Sequence, residues 1–245
     1  MLNQPRLRVF AGPNGSGKST IKAVISPKLL GHYLNPDEIE KEVNSCDYLD
    51  IRNYNIQTNQ TEIVNFFNNH PLLNKTELGD YFNEIKFVQN EFIDFSNIGF
   101  DSYMSAILTD FLRQKYLTSH QSFTFETVMS SADKIETLKN AQLNGYKTYL
   151  YYVATEDPAI NLLRIKHRVK SGGHSVPSKK VVSRYYRSLA LLSDAIKYSN
   201  RAFIFDNSGN SETWVAQIIN GTDLELQTNQ IPVWFQLYVM DKLNH

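Results

Sequence analysis

The sequence predicts an α/β fold built on a parallel sheet of five strands with helices on both faces. Two observations support this prediction. Short apolar segments alternate with helical segments along most of the chain, and the first apolar segment runs into a glycine-rich turn that opens a helix. Such alternation implies right-handed crossovers between parallel strands, and ligands of these sheets bind at the carboxyl ends of the strands. The predicted strands are 7–11, 32–35, 122–125, 148–154 and 202–205.

The helix boundaries follow from proline, asparagine and glycine. Pro27 ends the first helix, Pro36-Asp37 opens the second, and Asn144-Gly145 is typical of a helix end. Pro158 occupies a tolerated first-turn position. The predicted helices are 17–25, one from 36, 103–116, 132–143, one from 158 to the glycine pair at 172–173, 177–198 and 232–243.

The length of 245 residues favours a single domain with two elaborations. The first is an inserted segment at about 44–98, which is rich in asparagine and is predicted to be partly helical. The second is a C-terminal extension at about 210–245. It contains a small hairpin, because segments 214–219 and 223–226 flank Asn220-Gly221, a strong hairpin signal.

Composition narrows the class of protein without naming a function. Hydrophobic residues make up 42% and charged residues 20%, which excludes a fully disordered chain. Twenty-five basic residues balance twenty-five acidic ones, so a general nucleic-acid binder is not expected. The single cysteine, Cys46, excludes a disulfide framework. No apolar run is long enough to span a membrane and no apolar signal region begins the chain, so we expect a cytoplasmic protein.

The segment after the first strand matches G-x-x-x-x-G-K-[ST] in full and stands in the required strand-to-helix context. The backbone amides of such a turn curl around phosphate oxygens, and the helix N-terminus adds positive potential. Lys18 would reach the β- and γ-phosphates and Ser19 would ligate Mg²⁺, so ATP and Mg²⁺ are the predicted cofactors. The predicted nucleotide-binding residues are Gly12, Pro13, Asn14, Gly15, Ser16, Gly17, Lys18, Ser19 and Thr20.

The same string also resembles the phosphate loop of ABC-type ATPases. Such an enzyme carries an LSGGQ-like signature and an apolar strand that ends in Asp-Glu, and this sequence contains neither. An ABC-type ATPase is therefore disfavoured.

Acidic residues follow three of the predicted strands. Asp37 could accept the proton of an acceptor hydroxyl, or it could cap the helix that starts at Pro36. Glu126, with Thr127 beside it, could order Mg²⁺ through water or bind acceptor hydroxyls. The alternative is a cap for the next helix, a role that Ser130 or Ser131 would fill better. Asp206 ends the fifth strand in the same pattern, so the acid that orders Mg²⁺ stays open at this point.

Eight basic residues and no acidic ones lie between 164 and 187. A solvated helix face is one explanation of such a run. The other is a lid, in which arginines on two helices joined by a flexible glycine pair cover a phosphate site and stabilise the charge of a transferring phosphoryl group. Together with the phosphate loop, the run favours the lid. The predicted lid residues are Arg164, Arg168, Gly172, Gly173, Arg184 and Arg187.

Taken together, these residues resemble the zeta-toxin-like kinase family, in particular the branch often labelled predicted ABC-type ATPase. The resemblance implies a P-loop fold of nucleoside-kinase type and phosphorylation of a sugar hydroxyl, in the better-known members the 3′-hydroxyl of UDP-N-acetylglucosamine. It also implies inhibition by a small antitoxin protein. The matching strings are residues 12–20, 35–39, 123–127, 164–168, 172–174, 176–177, 184–188 and 206–208.

The resemblance also implies roles for single residues. Asp37 matches the family's base, Lys18 and Ser19 its nucleotide site, and Glu126 with Thr127 its acceptor-binding strand end. Arg168 and Arg184 are the best matches to the arginines that act on the phosphates. Two departures leave the acceptor open: Glu126 and Thr127 are contiguous, and the 44–98 insertion is asparagine-rich.

The sequence therefore predicts an ATP- and Mg²⁺-dependent kinase of a small-molecule acceptor. Two alternatives remain. One is a regulatory P-loop protein that holds a nucleotide without transferring phosphate, and the other is a housekeeping nucleoside or sugar kinase with no toxic role.

Overall fold

A computed structural model describes residues 4–72, 81–171 and 176–243. The chain forms two compact units. The first comprises Met1–Gly31 and Ser122–His245, and the second comprises His32–Gln121. The second unit contains the insertion predicted at about 44–98 and extends beyond it on both sides. The single-domain organisation stays a prediction.

Ten strands are found in the described residues. In chain order they are β1 (Arg6–Ala11), β2 (His32–Leu34), β3 (Tyr48–Asp50), β4 (Lys86–Val88), β5 (Phe92–Asp94), β6 (Phe123–Thr127), β7 (Lys147–Ala154), β8 (Arg201–Asp206), β9 (Thr213–Ile219) and β10 (Asp223–Leu226).

The sheet of the first unit has the order β10-β9-β8-β7-β1-β6. β8, β7, β1 and β6 run parallel, and β9 and β10 continue the sheet antiparallel. Parallel strands covered on both faces are mostly apolar, and five of the six β1 residues are buried, four of them apolar. The Tyr151 ring stacks on Phe10 at 4.8 Å and on Phe203 at 5.0 Å between centroids, so one aromatic ladder crosses three strands. The predicted α/β sheet is confirmed.

Most helices of the first unit lie close to their predicted positions, but the helix that starts at Pro27 was not predicted. They are α1 (Lys18–Val24), α2 (Pro27–Leu30), α6 (Asp133–Leu143), α7 (Pro158–Lys170), α8 (Ser178–Ala190) and α9 (Leu192–Lys197); the second unit carries α3 (Pro36–Cys46), α4 (Gln60–Asn68) and α5 (Ser102–Thr118). Asp157 caps α7 by accepting from the Ala159 amide at 2.7 Å.

Two of the helix predictions need correction. The helix predicted over 177–198 is divided into α8 and α9 at Leu191, where the sequence has neither glycine nor proline. The final helix predicted at 232–243 contains a π turn at Gln236–Met240 between two short α segments. No described helix is long and apolar enough to cross a bilayer.

The second unit has its own core and its own small sheet. The antiparallel order β3-β5-β4 was not predicted, because each of these strands has only three residues. Helix α4 and two 3₁₀ turns, Ile51–Tyr54 and Tyr81–Glu84, agree with the partly helical prediction for the insertion.

Candidate active site

The predicted phosphate loop, residues 12–17, links the end of β1 to the start of α1. Gly12, Gly15 and Gly17 all have positive φ, and the Ser16 amide donates to the Pro13 carbonyl at 3.2 Å. The loop therefore has the curled backbone that the motif predicts.

Lys18 lies over this loop. Its ammonium Nζ donates to the Gly12 carbonyl at 2.9 Å and to the Pro13 carbonyl at 3.1 Å. The same atom lies 4.0 Å from Oε1 of Glu126, and the Lys18 side chain is only 8% exposed. A buried cation is thus held between the phosphate loop and a carboxylate on the neighbouring strand.

Glu126 and Thr127 are the last two residues of β6, so the strand ends two residues later than predicted. They pair in register with Phe10 and Ala11 of β1, which brings the end of β6 level with the start of the phosphate loop. The Thr127 hydroxyl accepts from the Met129 amide at 3.0 Å and fixes the turn after the strand.

The capping alternative for this strand end is wrong. Helix α6 begins at Asp133 with Ala132 at its N-cap, and no side chain caps it. Neither Glu126 nor Ser130 nor Ser131 has that role, so the Glu126 carboxylate is left facing Lys18.

Asp206, the other candidate acid, is engaged by its own surroundings. Its carboxylate accepts from the Ser208 amide at 3.0 Å, the Ser208 hydroxyl at 2.9 Å and the indole Nε1 of Trp234 at 2.8 Å. Because these donors occupy both carboxylate oxygens, Asp206 holds the C-terminal segment on the sheet. This geometry favours Glu126 over Asp206 as the acid at the phosphate loop.

The four predicted lid arginines lie on α7 and α8, which pack against each other. Arg164 donates through Nη2 to the Gly209 carbonyl at 3.3 Å, and its Nη1 is buried with no hydrogen-bond partner in the described residues. Arg168 and Arg187 are exposed, and Arg184 is half-buried. Gly172 and Gly173 lie outside the described residues.

Asp37 is exposed and belongs to the second unit. It is the second residue of α3, and its amide donates to the side chain of Asn35 at 2.9 Å. Asn35 is therefore the N-cap, and the alternative in which Asp37 caps this helix is wrong. Its role as a base stays a prediction.

Three residues without a predicted role contact the phosphate loop or its support. The sequence predicted no role for Thr155, Asn161 or Asn207. Asn161 donates to the Asn14 carbonyl and Asn207 to the Ser16 carbonyl. The one sequence signal for these contacts is the position of Asn207 directly after a strand-end acid.

The residues present fit a nucleotide with Mg²⁺. In the loop, Oδ1 of Asn14 and Oγ of Ser16 are buried without hydrogen-bond partners among the described residues, as expected where a ligand supplies them. Ser19 in the first turn of α1 and the Glu126 carboxylate provide the oxygen ligands that Mg²⁺ prefers. No group of three or more metal-binding side chains occurs in the described residues. Mg²⁺ bound with substrate phosphates requires only one or two protein ligands.

Comparison with known proteins adds an independent observation. Residues 98–217 match the model of the Zeta toxin family. The matched segment contains Glu126, Thr127 and the predicted lid arginines, whereas the phosphate loop and Asp37 lie before it. The resemblance predicted from the sequence is confirmed.

The solved structures that resemble this chain support the same fold. A complex of AvrRxo1-ORF1 and AvrRxo1-ORF2 with ATP superposes with a TM-score of 0.54 at 16% identity, covering 91% of this chain and 61% of that one. The PezAT chromosomal toxin-antitoxin system of Streptococcus pneumoniae gives 0.50 at 13% identity, covering 99% and 84%.

One curated protein shares a shorter stretch. An uncharacterized protein of Haemophilus influenzae is 39% identical over 69 residues, which is 28% of this chain and 49% of the relative. The match spans about half the length of that relative.

Proposed function

We propose that this protein is an ATP- and Mg²⁺-dependent kinase that transfers the γ-phosphate of ATP to a hydroxyl group of a small-molecule acceptor. The observation that carries the proposal is the Lys18 ammonium, held on the phosphate loop and 4.0 Å from Glu126 at the end of the adjacent parallel strand. The Zeta toxin match over 98–217 supports it.

In the proposed reaction, the acceptor oxygen bonds to the γ-phosphorus while the bond from that phosphorus to the β,γ-bridging oxygen breaks, and ADP leaves with the electron pair. Lys18 meets the negative charge of the β- and γ-phosphates, and loop amides bind their oxygens. Ser19, and Glu126 through water, would hold Mg²⁺, which would neutralise charge on the phosphates. Arg168 and Arg184 add positive charge from the lid, and Asp37 takes the proton of the acceptor hydroxyl.

The acceptor and the partner are proposed from family resemblance. We propose a nucleotide sugar such as UDP-N-acetylglucosamine as the acceptor, with Glu126 and Thr127 binding its hydroxyl groups. A small antitoxin protein is the proposed inhibitor, in line with the toxin-antitoxin system to which the pneumococcal structure belongs.

A screen of metabolite pools with γ-labelled ATP tests the kinase and identifies the acceptor. We expect label to pass to one acceptor class with the wild type and to fall about 10²–10³-fold with Lys18→Ala, because a preorganised charge at the phosphates is lost. ATP binding without label transfer to any pool would favour the regulatory alternative. Growth arrest on expression, absent with Lys18→Ala, separates a toxin from a housekeeping kinase.

Asp37→Asn tests the proposed base. The change removes the proton acceptor and leaves the Asn35 cap of α3 in place, so transfer should fall roughly 10²-fold or more while ATP affinity and melting temperature change little. Asn35→Ala is the matched control. It should lower the free energy of unfolding by about 1 kcal/mol through loss of the cap. Retained transfer in Asp37→Asn would mean that another group accepts the proton.

A further inference from the structure

Two asparagine side chains hold the backbone of the phosphate loop from outside. Asn161, in the first turn of α7, donates through Nδ2 to the Asn14 carbonyl at 2.7 Å. Asn207, directly after β8, donates through Nδ2 to the Ser16 carbonyl at 2.8 Å. Both contacts are made to carbonyl oxygens, so they act on the path of the loop backbone.

The carbonyls they hold belong to the peptide units that precede two glycines. In a trans peptide, the C=O and the following N–H point in opposite directions, and no cis peptide bond occurs in the described residues. Fixing the Asn14 carbonyl therefore aims the Gly15 N–H away from Asn161. Fixing the Ser16 carbonyl aims the Gly17 N–H away from Asn207 in the same manner. Within the described part of the chain, neither N–H donates a hydrogen bond.

The glycines in turn make room for the asparagines. A Cβ on Gly17 would lie 2.1 Å from Nδ2 of Asn207, and a Cβ on Gly15 would lie 2.7 Å from the backbone oxygen of Asn161. Any side chain at Gly15 or Gly17 would therefore displace Asn161 or Asn207 from the loop. The motif glycines and the two asparagines are thus complementary.

The Asn161 amide is itself oriented. Asn161 is fully buried, and its Oδ1 is hydrogen-bonded to the Thr155 hydroxyl, so its NH₂ group is directed to the loop. The Thr155 carbonyl accepts from the Tyr185 hydroxyl at 2.5 Å, which ties α8 to the same support. The backbone N–H of Asn207 donates to the Ala154 carbonyl at 2.8 Å, which fixes the position of this residue.

We infer that Asn161 and Asn207 are positioning residues that aim the Gly15 and Gly17 N–H groups at phosphate oxygens of a bound nucleoside triphosphate. The inference rests on the proposed function for the identity of the ligand, while the recognition itself requires only a chain of phosphates. The two asparagines act through the loop backbone and do not touch the reacting atoms.

The test replaces each asparagine with aspartate, which has the same shape but sets a carboxylate against a carbonyl oxygen. Binding of ATP and of inorganic tripolyphosphate is measured by calorimetry, and the ¹⁵N-labelled Gly15 and Gly17 amides are followed by NMR during titration. We expect affinity for both ligands to fall on the order of 10-fold or more in each variant. The change in the NMR signal of the Gly15 amide on ligand binding should be lost in Asn161→Asp, and that of the Gly17 amide in Asn207→Asp.

Asn200→Ala is the control. Asn200 also binds a distant backbone group through its side-chain amide, but as the acceptor: its Oδ1 accepts from the Thr148 backbone amide at 2.9 Å, near the start of β7. It should lower the melting temperature and leave both affinities and both glycine shifts unchanged.

The outcomes separate this inference from the proposed kinase. Tripolyphosphate binding that depends on both asparagines, without phosphoryl transfer, supports the positioning role and contradicts the kinase. Wild-type affinity in both aspartate variants overturns the positioning role. If the variants do not fold, the test uses the wild-type protein alone. The inference is overturned if the NMR signals of the Gly15 and Gly17 amides do not shift on saturation with ATP or tripolyphosphate. It is also overturned if the wild type binds neither ligand.

Discussion

The carboxyl ends of β6 and β8 have nearly the same local sequence, Phe-Thr-Phe-Glu and Phe-Ile-Phe-Asp, and different surroundings. Glu126 ends up 4.0 Å from the ammonium of Lys18 and level with the start of the phosphate loop. Asp206 is bound by Ser208 and Trp234. The strand-end pattern alone therefore does not define the role of the acid, because the groups that surround the two carboxylates differ.

Glu126→Gln tests the proposed functional acid of the two. Of the variants discussed below, it should have the largest effect, which is on phosphoryl transfer. The amide keeps the shape of the side chain but removes the negative charge that would order Mg²⁺. We expect transfer to fall about 10²-fold, with a change in unfolding free energy below about 1 kcal/mol. Transfer assays at saturating ATP and urea unfolding measure the two quantities. A variant that transfers normally but is unstable would make Glu126 a structural residue like Asp206.

Trp234→Phe tests the structural side. It keeps an aromatic ring at this buried position but removes the pyrrole part of the indole, including the N–H that donates to the Asp206 carboxylate. Unfolding free energy should therefore fall by about 1–3 kcal/mol while ATP affinity is kept. Trp214→Phe is the matched control, since Trp214 is 42% exposed and its Nε1 donates to the Ala216 carbonyl. Its cost should stay within about 0.5 kcal/mol. Thermal unfolding followed by circular dichroism compares the two, and equal losses would contradict the anchoring role of Asp206.

The smallest expected effect is a pH dependence in the second unit, which contains neither strand-end acid. Burial lowers the pKa of His32 below its usual value near 6.5, partly offset by a hydrogen bond with Gln121. The unfolded chain therefore binds this proton more readily, and stability should fall as pH drops below about 6.5 towards the folded-state pKa. Urea unfolding at pH 7.5 and 5.5 measures the loss, which His32→Gln should reduce.

Local sequence signals predicted the first unit well. The glycine-rich motif predicted β1, the loop and α1 together because strand, turn and helix N-terminus are all required by phosphate binding. Asn220-Gly221 predicted the β9–β10 hairpin, and the structure gives both residues the positive φ that such a turn requires.

What could not be predicted depends on partners distant in sequence or on very short elements. The three-residue strands of the second unit are too short to show an alternating pattern. The division at Leu191 carries no glycine or proline signal. The two asparagines that hold the phosphate loop are 147 and 191 residues from the carbonyls they bind, a distance over which no local pattern operates.

These distances also set an order of assembly. The phosphate loop leaves the ribosome before the second unit, and the strands on either side of β1 come only after the whole second unit has been made. Non-local pairing of this kind slows folding, and nascent chains generally complete domains from the N-terminus. The loop acquires its last support only when Asn207 has been synthesised and β8 has paired with β7. A nascent chain that stops before this residue therefore contains the complete glycine motif but lacks the full support of the phosphate loop. We therefore expect nucleotide binding to begin late in synthesis and folding.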